Sequence, residues 1–210
     1  MTRIASLPPK SRRSSTPKIS QFDEKYYRRF YNTDPVHTRH QISHLAQAVD
    51  SLCSWWGVNI RSVLDVGSGP GYWRDWFVAH RPAAKVVSTD ISDFACEKFG
   101  HQKRDISKWK PSRSFDLVVC HGVLQYLDHQ EASAAIENLA WATRHVLYLE
   151  VPTTKDLQQT VDRDSTDLMM YSRTGRWYQN RLRRHFEQAG SGLWIKKAGQ
   201  VLLYELEGAP

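Results

Sequence analysis

Apolar residues recur along this chain with two different periods. Between positions 40 and 57, Ile42, Leu45, Ala46, Val49, Leu52 and Trp56 keep the 3.6-residue spacing of a helix buried on one face, and Gly57 supplies its stop. Beyond that helix, short apolar runs alternate with helical stretches. SVLDV (62–66), AKVVSTD (84–90), FDLVVCH (115–121) and HVLYLEVP (145–152) read as strands, with a short polar strand near 101–105. GYWRDWFVAH (71–80) and a segment from about 130 to 144 read as helices between them. FDLVVCH is nearly all apolar, as a strand covered on both faces requires. Such alternation predicts βαβ units, right-handed crossovers and a parallel sheet of the α/β class. The last run, GLWIKKAGQVLLYELEG, reads as two β segments about a polar turn, so an antiparallel hairpin is expected to close the sheet.

Length, charge and cysteines narrow the class. A chain of 210 residues with 40% hydrophobic and 11% aromatic residues suits one globular domain. The net charge of +7 invites a nucleic-acid reading, but residues 1–20 hold five Lys/Arg and no acid. The remainder carries 24 basic against 22 acidic residues, only +2. The excess therefore sits in a Ser/Pro-rich stretch expected to be a disordered basic tail. Cys53, Cys96 and Cys120 lack metal-ligand spacing and read as reduced thiols, which predicts a cytoplasmic location. No apolar run reaches the roughly 18 residues of a membrane helix, so no membrane span is expected.

The chemistry concentrates in SVLDVGSGPGYW. Gly67, Gly69 and Gly71 follow an apolar strand as G-x-G-x-G, whereas the dinucleotide fingerprint wants its third glycine one place later, where Tyr72 stands. Pro70 also removes an N–H that a phosphate would use. The loop suits a ligand that approaches the backbone closely and carries no phosphate. Asp90 ends the next strand, 23 residues past Gly67, where a carboxylate can accept both hydroxyls of a ribose. A plain helix cap is the alternative for it, better suited to Asp93.

With these features in register, the sequence resembles the class I S-adenosylmethionine-dependent methyltransferases. VLDVGSGPGYW is similar to their first motif, STDIS to the ribose-binding acid, RDI (104–106) to the adenine-contacting loop, and FDLVVCHGVLQYL to the fourth motif. The last is closest to small-molecule enzymes of the ubiquinone-biosynthesis type. This resemblance implies a doubly wound, mostly parallel seven-stranded sheet with helices on both faces and the C-terminal antiparallel hairpin. It divides residues 21–210 into a helical lead or lid (21–57), a cofactor-binding core (60–150), an acceptor-covering insertion with the last helix (151–190) and the closing hairpin (191–210).

S-adenosylmethionine is the cofactor so implied. Carried over by position, Gly67, Ser68, Gly69 and Gly71 hold its methionine and ribose part, and Asp65 orients the loop and reaches the amino group. Asp90 takes the ribose hydroxyls, Ile91 packs on adenine, and Asp105 with Ile106 contacts the adenine edge. His121 and Gly122 line the methyl end. The ligand has a sulfonium, an ammonium, one carboxylate and no phosphate, which fits acids beside a bare backbone.

Methyl transfer needs in-line positioning, worth roughly 7–11 kcal/mol, and a base only when the acceptor is protonated. His121 and then Glu150, at consecutive strand ends, are the candidates, with a purely structural role open for each. No metal is expected, since clustered carboxylates are not evident in the sequence. For the acceptor, Tyr126, Met170, Tyr171 and Trp177 are expected to form an apolar pocket and Arg173 to grip an anionic group. The alternative places Trp177 in the core and the arginines in solvent. The Asp/Asn-Pro-Pro-aromatic motif of enzymes that methylate base amino groups is replaced by His121-Gly122-Val123-Leu124. A small-molecule acceptor is the first expectation; RNA or protein, or a catalytically silent cofactor-binding scaffold, are the alternatives. Oligomeric state is open.

Overall fold

Thr38 opens the first long helix by a capping box: its Oγ1 accepts from the Gln41 N–H at 3.2 Å, and the Gln41 side chain accepts from the Thr38 N–H at 2.8 Å. The computed structural model describes residues 21–33 and 35–208, so the expected tail at 1–20 lies outside the described residues. A short helix α1 (Glu24–Tyr27) runs on as a π-helical turn (Arg28–Thr33), and α2 (Arg39–Trp55) follows. Then come β1 (Ser62–Val66), α3 (Tyr72–His80), β2 (Lys85–Asp90), α4 (Asp93–Phe99), β3 (Gln102–Lys103), β4 (Phe115–His121), α5 (His129–Ala142) and β5 (Thr143–Glu150). The chain ends in α6 (Thr154–Gln159), α7 (Gly175–Leu182), β6 (Phe186–Gly190) and β7 (Leu193–Lys196).

The sheet has the order β3-β2-β1-β4-β5-β7-β6. β1 to β5 are parallel, and β7 is inserted antiparallel between β5 and β6. This is the expected doubly wound seven-stranded sheet, but its hairpin lies earlier than the sequence suggested. Phe186–Gly190 and Leu193–Lys196 form it, around Ser191 and Gly192, and the run Val201–Tyr204 is not a strand. Positive φ at Gly190, Ser191 and Gly192 makes the tight turn there. Leu202, Tyr204 and Leu206 stay exposed.

Each central strand buries both faces, with a period of two. Leu117, Val119, Val146 and Tyr148 face α2 and α3 through Ile42, Ala46, Val49 and Phe77. Val118, Cys120, Leu147 and Leu149 face α5 and α7 through Ile136, Leu139, Tyr178 and Leu182. Removing a fully buried side chain such as Phe77 would cost about 3–5 kcal/mol. Asp116 is 2% exposed at the start of β4, where Ser62 Oγ, the Arg61 N–H and the Arg144 guanidinium all donate to it. With the strand starts tied there, the carboxyl ends of β1, β2, β4 and β5 open toward the lead segment. That is where an open α/β sheet binds its ligand.

Candidate active site

β1 and α3 are joined by a loop that glycine makes possible. Gly67 and Gly69 have φ of 65° and 56°, and a Cβ on Gly67 would lie 2.3 Å from Val123 Cγ2. On Gly69 it would lie 3.2 Å from the Tyr31 hydroxyl. Asp90 clamps the loop from β2: its Oδ2 accepts from the Gly69 N–H and its Oδ1 from the Ser92 N–H, both at 2.9 Å. Burial pushes the Asp90 carboxyl up, against the pull of those N–H groups. His101 braces the loop from behind, donating from Nε2 to the Gly69 carbonyl at 3.0 Å, with Nδ1 2.9 Å from Ser88 Oγ. Nothing in the sequence marked this histidine, which stands alone after α4.

Two cavities meet over this loop. One, of about 420 Å3, is lined by Asp90, Ile91, Asp105, Ile106 and the Gly67 and Gly69 backbone. The other, of about 690 Å3, takes in Asp65, Ser68, His121, Glu150 and the segment from Val151 to Met170. Tyr26, Tyr31, Gly67, His121, Gly122 and Tyr126 line both, so the junction lies at the ends of β1 and β4. The lead segment roofs the junction. Tyr26 and Tyr126 bond hydroxyl to hydroxyl at 2.9 Å, and Ser92 Oγ donates to the Phe22 carbonyl at 2.6 Å. Tyr31 stacks on Tyr27, and burial raises both phenols well above their usual range.

The cofactor residues inferred from the sequence are brought together here, with one exception. Asp65 is fully buried at the end of β1 and accepts from the Arg74 N–H at 3.2 Å; burial lifts its carboxyl to about 6. Asp105 lines the smaller cavity, with Oδ1 taken by the Ser107 N–H and hydroxyl and Oδ2 by Lys108 at 3.1 Å. Burial would raise it, but these donors outweigh that and lower it. Gly71 belongs to neither cavity. It caps α3 with φ 83°, and a Cβ there would run into the Arg74 guanidinium at 2.5 Å, so its role is in the turn.

His121 and Glu150 are adjacent. The Trp73 indole N–H donates to His121 Nδ1 at 3.1 Å, which leaves the proton on Nε2, 3.1 Å from Glu150 Oε1. Tyr148 donates to Glu150 Oε2 at 3.1 Å. His37, from the loop before α2, completes the group with Nε2 3.4 Å from Glu150 Oε1. Burial would raise the Glu150 carboxyl, but the two imidazoles outweigh it and hold it far below the usual range. The Glu150 bond in turn raises His37. Sequence reasoning missed His37 and Trp73. A histidine in a loop 113 residues from its carboxylate partner carries no local signal.

The His37, His121 and Glu150 ligand atoms lie within 4.8 Å of one another, close enough for a metal ion. The donor set argues otherwise. A ligating His121 Nε2 would need its proton on Nδ1, where it would face the Trp73 N–H rather than an acceptor.

The acceptor residues inferred from the sequence divide. Tyr126 and Met170 line the larger cavity. Arg173, Trp177 and Tyr171 do not. Arg173 is 3% exposed and donates to the Leu124 carbonyl, the Tyr178 hydroxyl, His129 Nδ1 and the Leu127 carbonyl. The Trp177 ring takes both the Arg173 guanidinium and that of Arg181, at 4.9 and 3.6 Å from the ring centre. Tyr171 faces Arg173 at 5.5 Å. Four of its five N–H donors are spent on the chain itself, and at this burial, outside both cavities, Arg173 is not placed to grip an anionic substrate.

A family model described as a methyltransferase domain matches residues 27–191, well over half of the chain. The protein belongs to this methyltransferase family. No curated protein matches the sequence. Among solved structures, the magnesium protoporphyrin IX methyltransferase of Synechocystis PCC 6803, crystallised with S-adenosylhomocysteine, is 20% identical with a TM-score of 0.56, covering 81% of this chain and 92% of that one. The N-methyltransferase NodS of Bradyrhizobium japonicum WM9 is 15% identical with a TM-score of 0.57, covering 84% and 98%. A SAM-dependent methyltransferase of Archaeoglobus fulgidus is also 15% identical at 0.57, covering 80% and 79%. At these identities the likeness is one of fold, and it is the class I fold expected from the sequence.

Proposed function

We propose that this methyltransferase moves the methyl group of S-adenosylmethionine to a small-molecule acceptor, without a metal. The observation that carries the reading is the pair of cavities joined at Gly67, His121 and Gly122 under one roof. The smaller suits a nucleoside. Each Asp90 oxygen has a second lone pair for a ribose hydroxyl, and the glycine loop, with its Gly69 and Gly71 N–H groups already bonded to Asp90 and the Ser68 carbonyl, is a bare surface with no phosphate cradle. Asp65 and Ser68, on the other side of the junction, suit the ammonium and carboxylate of the methionine end.

When bound, the cofactor supplies a methyl group on a positively charged sulfur. The chain's part is placement. Gly67 and Gly122 leave room at the junction, Tyr26, Tyr31 and Tyr126 keep water out, and His121, held by Trp73 and Glu150, walls the methyl end. A cavity of about 690 Å3 has the size of a small-molecule site rather than of a groove for a polymer. Among the described residues no helix is long and apolar enough to cross a membrane.

The test has two stages. Calorimetric titration with S-adenosylmethionine, S-adenosylhomocysteine and NAD should show binding of the first two alone. Methyl transfer should then occur from labelled cofactor to members of a small-molecule panel, undiminished by EDTA. Transfer to bulk RNA or protein alone would overturn the acceptor class, and loss of activity with EDTA would overturn metal independence.

A further inference from the structure

The larger cavity has a consistent sign. Asp65, Glu150, Asp156, Asp162 and Asp167 line it, and among the described residues no Lys or Arg does. The smaller cavity, in contrast, sets Arg104 and Lys108 beside its acids. Rings of Tyr26, Phe30, Tyr72, Trp73 and Tyr126 line the wall as well, the setting in which a desolvated cation binds well. An independent feature points the same way. Gln125 lines this cavity at 6% exposure, and its buried Oε1 accepts from no donor in the protein. A turn of this amide would bring the oxygen to the cavity, where an N–H from the ligand would satisfy it.

Near the junction stands a group able to receive a proton. His37 uses Nε2 toward Glu150, which leaves Nδ1, and the ring lines the cavity. His121 cannot serve in this arrangement, because Trp73 occupies its Nδ1 and its Nε2–H faces Glu150. Glu150, with donors from His121, His37 and Tyr148, is the anchor that orients His37 and steadies its charged form.

We propose that the acceptor is a primary or secondary amine, drawn in as its ammonium by Asp156, Asp162, Asp167 and these rings, and that His37 takes its proton. This rests on the methyltransferase reading above. The ammonium N–H bond breaks, its electron pair stays on nitrogen, and the proton goes to His37 Nδ1. That pair then forms the N–C bond as the C–S bond breaks, and the sulfur keeps the electrons of the latter. The products are the N-methylammonium and S-adenosylhomocysteine, and His37 returns its proton to solvent.

The experiment compares phenethylamine, phenethyl alcohol and phenylacetate, three probes of similar shape and different charge, with the full chain. With S-adenosylhomocysteine bound, calorimetry should show the amine binding at least about tenfold more tightly than the other two, and Asp162→Asn with Asp167→Asn should remove that preference. Labelled cofactor should methylate the amine nitrogen alone. His37→Gln should keep both binding steps, lower kcat by roughly a hundredfold and flatten its rise with pH, which Glu150 from β5 and His121 from β4 otherwise shape. Equal binding of amine and alcohol, transfer to oxygen, or no transfer to the amine would each overturn the amine assignment. Failure of S-adenosylhomocysteine to bind at all would instead overturn the reading beneath it.

Discussion

The two cavities are built in opposite ways. The floor of the smaller comes from consecutive strand ends, Gly67 and Gly69 after β1, Asp90 and Ile91 after β2, Asp105 and Ile106 after β3, while Phe22, Tyr26, Tyr27 and Tyr31 of the lead segment roof it. Each floor pair lies within a few residues of its own strand. The larger is assembled from four distant pieces, the lead segment, β1, the ends of β4 and β5, and the 151–170 stretch. Tyr26 reaches Tyr126 across 100 residues to roof both. On the proposed reading, the floor of donor recognition is encoded in loops that the sheet fixes automatically, while acceptor recognition depends throughout on long-range docking. The first half should be sensitive to single local changes, the second to changes in the docking itself.

The largest effect is expected at Asp90. Asp90→Ala removes the acceptor for the Gly69 and Ser92 N–H groups and, with it, the proposed ribose contact. At roughly 1.5–3 kcal/mol per charged hydrogen bond, S-adenosylmethionine affinity should fall by about a hundredfold or more. Calorimetry on the folded variant checks this, and affinity within about threefold of the parent would sink the ribose role.

Arg173 provides the sharpest contrast with the acceptor site expected from the sequence. Arg173→Lys keeps the charge but cannot span the Leu124 carbonyl, the Tyr178 hydroxyl and His129 together. It should lose on the order of 3 kcal/mol of stability, read by urea unfolding, with no specific rise in acceptor KM. Unchanged stability with a raised KM would return Arg173 to the substrate site.

These two positions also show what the sequence made legible. Asp90 could be found because its spacing from the glycine loop is set by one βαβ unit, and such units have few geometries. The strands followed from their apolar runs for the same reason. Arg173 was misplaced because basic residues beside aromatics look alike whether they face a ligand or the protein's own carbonyls. The hairpin was shifted because Val201–Leu203 has β-type composition but no strand pairing, whereas Phe186–Gly190, with a glycine and two polar residues, gains the edge beside β7. His37 was invisible until the fold brought it to Glu150.

A smaller loss is expected for Gly67→Ala. Its Cβ would collide with Val123 Cγ2, and φ of 65° adds about 1–2 kcal/mol of backbone strain. Cofactor affinity should drop by about tenfold. Adding Val123→Ala should restore part of it, since the collision is relieved and the strain is not. No rescue at all would mean that the backbone conformation alone limits the loop.

The mildest change needs no mutation. Asp65 titrates near 6 because it is buried, so in the free protein it is neutral below that pH and ionised above it. An ammonium at the methionine end binds the ionised form and lowers the carboxyl's pKa in the complex. Affinity for S-adenosylmethionine should therefore be flat above about pH 7 and weaken as the pH falls through 6. The slope approaches tenfold per unit until the pKa of the complex is reached. Asp65→Asn should bind more weakly at pH 7.5 and show no bend at 6. A parent protein whose affinity is constant from pH 7.5 to 5 would put the ammonium elsewhere, and would leave Asp65 only the task of receiving the Arg74 N–H at the start of α3.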